Sequence, residues 1–172
     1  MASIFGHSIV GFTLTKVIDS KNTKWLLLAA IFSTILPDFD VIAFHFGIPY
    51  EAPFGHRGFT HSIFFAIIWA LFLMFLLDRK HKLIWFSVIF LSTFSHGLLD
   101  AMTSGGKGVG FLIPFCNERF FFSFRGIKVS PIGINKFFSN WGVQVILSEL
   151  KYVFLPCFFI FGLRILIKPN NS

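Results

Sequence analysis

The chain has 172 residues, 55% of them hydrophobic, 19% aromatic and only 13% charged, with 27 Phe. Soluble domains run about 45–50% apolar and about 25% charged, and disordered chains are poor in aromatics. Both classes are excluded, and a single membrane-embedded domain over residues 1–172 is expected. The net charge of +7 belongs with loops and anionic head groups of a bilayer, so no nucleic-acid partner is expected.

Apolar stretches predict an all-α integral membrane bundle of about five embedded helices, at 4–18, 24–36, 61–77, 83–101 and 143–167. No Lys or Arg precedes Lys16, so the first helix reads as retained rather than as a cleaved signal peptide. The second is short of the roughly 20 residues of a full span. It meets Pro37, which disfavours helix at the residue before it, so it spans shallowly or continues past a kink. The third carries no charge between Ser62 and Leu77, and the fourth runs from Leu83 to Leu99. The fifth carries Glu149, Lys151 and Pro156, which predicts that neighbouring helices shield it from lipid. A long loop, Thr103 to Gly142, precedes it.

Five crossings sort the loops by side. Lys16, Lys21, Lys24, Arg79, Lys80, Lys82, Arg164 and Lys168 share one side and lie close to helix ends, which predicts that this side is cytoplasmic. The N-terminus is then extracytoplasmic and the C-terminus cytoplasmic.

On the extracytoplasmic side stand seven polar residues that the helix assignment did not use: His7, Asp38, Asp40, His56, His61, His96 and Asp100. His96 and Asp100 are four apart, on one helix face. Asp38 and Asp40 follow Pro37; in an extended turn they point the same way, whereas an α-helix separates them by about 200°, and the turn is preferred. Thr60 is placed as the N-cap of the third helix, with His61 its first residue. Uncompensated ionisable groups at membrane depth cost several kcal/mol, and a divalent metal compensates such a cluster. A His/Asp donor set suits Zn, with Mn or Fe(II) as further possibilities. Seven candidates allow two ions, or one ion with the remaining groups in support or as general base. A purely structural network of ion pairs and hydrogen bonds is the alternative. Cys116 and Cys157 fit no C-x-x-C spacing and join no site, and the oligomeric state stays open.

With these residues in view, the chain resembles the YdjM-like family of inner-membrane metal-dependent hydrolases. The resemblance is carried by His7-Ser8, L-P-D-F-D at 36–40, H-R-G-F-T-H-S at 56–62, S-H-G-L-L-D at 95–100, and I-P-F with a following E-R at 113–119. It implies a membrane-bound metallohydrolase, distantly similar to zinc-dependent phospholipases C, with metal ligation by the same seven residues.

The long loop opens with S-G-G-K-G-V-G, which lacks the Walker A spacing and is either a lid or a connector. Its Phe-rich continuation holds Arg119 and Arg125, whose forked donors suit a head-group phosphate; snorkelling anchors are the alternative. Glu149 reaches the pocket as a base or extra ligand, or else pairs with a cation. The expectation is metal-activated water attacking a phosphoester of a lipid-like substrate, with Asp38 or Asp40 positioning or deprotonating the water. A carboxylic ester or amide hydrolase, and a metal-binding transporter or assembly protein, are the alternatives.

Overall fold

The computed structural model describes residues 1–19, 21, 23–77, 80–131 and 134–167. Arg79 and Lys168, two of the eight basic residues that set the expected orientation, lie outside them.

Helix α1, Ile4–Ile18, starts at Ser3, whose hydroxyl accepts from the Gly6 N–H at 3.2 Å, as an N-cap should. It ends at Asp19, whose carboxylate accepts from the N–H groups of Lys21 (2.9 Å) and Thr23 (2.7 Å). Burial pushes this carboxyl up, but those N–H groups outweigh it and hold it low. The pinned turn leads into α2, Lys24–Ile35, which does not stop at Pro37. It runs on as a 3-10 helix, Leu36–Phe46, and closes on Gly47 at φ 71°, a left-handed cap open to glycine. Together they form one apolar rod of 23 residues.

After a loop and a short 3-10 turn, Phe59–His61, comes α3, Ile63–Leu77. The cap of α3 is Ser62, whose Oγ accepts from the Phe65 N–H at 3.0 Å. The expected cap, Thr60, instead donates to Asp40. Helix α4 spans Lys82–Ala101. The long loop is held by two isolated β-bridges, Thr103 with Ile127 and Val109 with Phe120, and contains the short α5, Ile134–Phe137. The last rod is α6, Asn140–Glu149, a π-helical segment Leu150–Phe154, and α7, Leu155–Ile167. Pro156 lacks an N–H, and the wide π turn just before it absorbs the missing bond.

Among the described residues the fold is thus all-helical, without a β-strand. Three rods are long and apolar enough to cross a membrane, Lys24–Phe46, Lys82–Ala101 and Asn140–Ile167, and α1 and α3 are shorter apolar helices. Shielding of the last rod is not found: only 11% of its most apolar window is buried. Lys151 is exposed over the Tyr152 ring, and Glu149 alone of its charged residues is buried.

Away from the polar residues, α2, α3 and α4 pack through Leu26, Ala30, Ala70, Leu73, Met74, Trp85, Val88 and Ile89. Helix α1 touches α2 at Gly11, where a Cβ would stand 3.1 Å from the Ala30 carbonyl oxygen. Small residues are what let membrane helices approach so closely. Phe72, Phe75, Leu76, Phe159 and Leu166 face outward, as lipid-facing side chains do.

Candidate metal centre

Four side chains from three elements meet at one end of the bundle. Asp38 comes from the 3-10 extension of α2, His61 from the turn before α3, and His96 and Asp100 from one face of α4. Each offers a ligand atom within 4.8 Å of the others, and all four are buried.

Hydrogen bonding fixes which ring nitrogens face inward. His96 Nδ1 lies 2.6 Å from the Thr34 carbonyl oxygen; a carbonyl only accepts, so Nδ1 donates and Nε2 keeps its lone pair. His61 Nδ1 lies 3.2 Å from Asp40 Oδ2 and is oriented the same way. The two Nε2 atoms then face each other at 3.0 Å. At that distance the pair shares either one proton, as an N–H···N hydrogen bond, or one metal ion. Asp38 Oδ1 stands 3.3 Å from His96 Nε2 and 3.8 Å from His61 Nε2, and Asp100 Oδ2 is 3.7 Å from His61 Nε2. Donors about 2.0–2.2 Å from one tetrahedral zinc lie about 3.4 Å apart, so these separations fit one coordination sphere. Asp38 Oδ1 has no hydrogen-bond partner among the described residues.

His7 stacks on His96 with ring centroids 3.8 Å apart, and its Nε2 is 3.6 Å from Asp100 Oδ1. Both of its ring nitrogens are buried without a hydrogen-bond partner among the described residues, so His7 stands beside the four as a further donor.

Asp40 and His56 stand behind this group. Asp40 accepts from His56 Nδ1 (2.6 Å), the Arg57 N–H (3.0 Å) and Thr60 Oγ1 (2.9 Å), as well as from His61 Nδ1. Such a carboxylate orients a ligating imidazole and raises its basicity. The expected extended turn at 37–40 is not found. Three residues per 3-10 turn separate Asp38 and Asp40 by about 120°, sending Asp38 to the ligand group and Asp40 to the ring behind it. His56 packs edge-on to Tyr50, 5.2 Å between centroids, and burial pushes the Tyr50 phenol up.

Arg57, treated in the sequence as a loop charge, is fully buried. Its Nε is 2.9 Å from Asp100 Oδ2; Nη1 donates to the carbonyls of Asp100 (3.3 Å) and Gly105 (3.0 Å), and Nη2 to Thr103 Oγ1 (3.1 Å). Its backbone sits at φ 60°, a conformation uncommon outside glycine and held here by the surrounding bonds. The available signal was its position between His56 and His61 in a cluster rich in carboxylates. Gly106, at φ 88°, lies against the guanidinium with no room for a Cβ, so the glycine-rich stretch packs as a wall of the site.

Of the expected phosphate-binding pair, Arg119 donates from Nη1 to the His56 carbonyl (3.0 Å) and from Nη2 to those of Tyr50 and Ala52 (3.1 Å each). It clamps the loop before the histidines. Arg125 is exposed, over the Phe121 ring at 4.3 Å, with a long bond of 3.4 Å to the Ser104 carbonyl. Glu149 is not brought to the ligand group. It accepts from the Ser3 N–H and Oγ, each at 2.5 Å, placing a carboxylate at the positive end of α1, where the absence of a side chain at Gly6 leaves it room. Beside it a cleft of about 310 Å³ is lined by Ile4, Phe5, Phe137 and Phe138, among others.

Over residues 1–170 the chain matches the family described as YdjM inner membrane protein. It is 44% identical over 172 residues to Inner membrane protein YbcI of Escherichia coli (strain K12), covering 95% of this chain and 96% of that protein. No solved structure matches it. The motifs at 36–40, 56–62 and 95–100 are the ones whose side chains meet in the bundle, and by the match over nearly its whole length the chain belongs to the YdjM inner membrane protein family.

Proposed function

We propose that this inner membrane protein is a metal-dependent hydrolase that uses metal-activated water on a phosphoester of a lipid-like substrate. The observation that carries the metal is the pair of inward-facing Nε2 atoms of His61 and His96, flanked by oxygens of Asp38 and Asp100. A zinc ion held by these four residues, with Mn and Fe as substitutes, supplies a Lewis acid that polarises the ester and acidifies water.

The chain's own residues do the rest. Asp40 holds the His61 ring through Nδ1, and Thr34 holds His96. Asp40 already accepts from His56, Arg57 and Thr60, so the role of positioning the water falls to Asp38, through the carboxylate oxygen that does not hold the ion. Of the two arginines, Arg125 is the one presented outward for a head-group phosphate. Phe121, Phe122 and Phe124, exposed beside it, suit the membrane interface, which favours a substrate arriving from the bilayer. The basic residues at the opposite end of the rods, Lys16, Lys24, Lys82 and Arg164 among them, favour an extracytoplasmic position for the metal end.

The test is turnover by purified protein in lipid nanodiscs. Metal-dependent release of phosphate or of a phosphorylated head group from a lipid phosphoester is expected, abolished by chelation and restored by zinc. Metal-loaded protein that leaves lipid phosphoesters intact, but cleaves a carboxylic ester or moves the ion across the bilayer, overturns this reading.

A further inference from the structure

Residues Met1, Ala2 and Ser3 are each tied down beside the ligand group. The Met1 carbonyl accepts from the Ser130 N–H at 2.8 Å, the Ala2 N–H donates to Asp100 Oδ1 at 2.9 Å, and Ser3 is bonded through its N–H and Oγ to Glu149. Chain ends are poorly ordered unless they are held in this way. The Met1 amine is thereby fixed 3.8 Å from Asp100 Oδ2.

His7, in the first turn of α1, faces the same carboxylate. Its Nε2 is 3.6 Å from Asp100 Oδ1, too far for a hydrogen bond. The residue is 1% exposed, and neither ring nitrogen has a partner among the described residues. Buried polar side chains are seldom left in that state, and a bound ion is one of the few things that accounts for it. The separations at Asp100 match those of 3.0 to 3.8 Å among the ligand atoms of the four residues described above.

Asp100 therefore meets donors on two sides: Oδ2 lies 3.7 Å from His61 Nε2, while Oδ1 faces His7. An ionised carboxylate has about four lone-pair sites, enough for the Ala2 N–H, the Arg57 Nε at 2.9 Å and a cation on each side. The rings set the spacing of such cations. His7 and His96 stack with 3.8 Å between centroids and 13° between planes. Ions held by stacked rings lie about a stacking distance apart, and the ions of two-metal sites lie about 3.5–4 Å apart.

We propose that the centre takes a second divalent cation, held by His7, Asp100 and the Met1 amine, with Asp100 bridging it to the ion of Asp38, His61 and His96. This rests on the metal reading above and adds to it a second site with two ligands outside the group of four. The amine gives up its proton on ligation, as protein ligands of metals do. Paired ions of this kind stabilise both the attacking and the leaving oxygen of a phosphoester.

The experiment uses detergent-purified, metal-stripped protein, loaded with Zn²⁺ and counted by elemental analysis after desalting, then loaded with Mn²⁺ and read by electron paramagnetic resonance. The expected results are two ions per chain and the spectrum of an exchange-coupled manganese pair. His7→Ala should keep one ion, lose the other and show an uncoupled spectrum. A Gly-Ser extension ahead of Met1, which moves the amine away, should weaken binding of the second ion alone. One ion per chain in the unmodified protein overturns the second site and leaves the metal reading intact. Two ions without coupling overturn the bridge at Asp100. Two coupled ions in His7→Ala overturn the part given to His7, and unchanged binding in the extended chain overturns the part given to the amine. No bound ion overturns the metal reading itself. Should His7→Ala fail to fold, the count and the spectrum of the unmodified protein still decide the question.

Discussion

At one end of the bundle, Leu26, Ala30, Leu73, Trp85 and Ile89 fill the space between α2, α3 and α4. At the other, His7, Asp38, His61, His96, Asp100 and Arg57 are buried side by side. The apolar end is defined by shape: lipid is as apolar as leucine, so packing and close approach hold it together, and neighbours can adjust to a small change. The polar end is defined by partners. Each donor or acceptor there answers to a particular atom, and removing one strands another. Rigidity is therefore concentrated where the polar groups are buried, at the ends of four different elements, and the remainder of the bundle needs only to be the right size.

The largest break in this contrast comes from Asp100→Ala. It leaves Arg57 buried without its carboxylate, a loss of about 3–5 kcal/mol, and removes one of the four proposed ligands. Unfolding in detergent should register the first effect and elemental analysis the second. A variant of unchanged stability would mean that Arg57 is not held by this pair. At the apolar end, Ile89→Val should cost about 1 kcal/mol and leave metal content as it was; a fall in metal content would show that the two ends are mechanically linked. The smallest effect belongs to Ser33→Ala. It removes the 2.9 Å bond from Trp69 Nε1, and buried hydrogen bonds between membrane helices average about 0.6 kcal/mol. The same unfolding assay, run beside the Asp100 variant, sets the ratio between the two ends.

Much of this was legible in the chain itself, for a definable reason. His96 and Asp100 share a face because the period of an α-helix is fixed, and α4 is an uninterrupted helix. The five rods follow from apolar runs. What failed involved backbone choices and partners distant in sequence. Pro37 disfavours α-helix at Leu36, yet the chain keeps its hydrogen bonding by tightening to 3-10, so the relation of Asp38 to Asp40 could not be had from spacing. Arg57 reads as an ordinary loop cation because the carboxylate that buries it is 43 residues away. Glu149 finds its donors at Ser3, 146 residues away; the start of α1 at residue 4 was expected from the apolar run, but no spacing in the chain ties that turn to Glu149.

The 3-10 extension of α2 also sets the depth of the site. An α-helix rises about 1.5 Å per residue and a 3-10 helix about 2.0 Å, so Asp38 lies roughly 22 Å along the rod from Lys24, with about 16 Å still to run to Phe46. If Lys24 marks one face of a hydrocarbon layer about 30 Å thick, the carboxylate sits several ångströms short of the opposite face, and the stretch ending in Phe44, His45 and Phe46 passes through the head groups like a mooring post. The tightened coil carries the chain out of the lipid while leaving the acid inside. A water molecule reaching Asp38 must descend past that post, whereas a lipid head group need sink only a short distance along it.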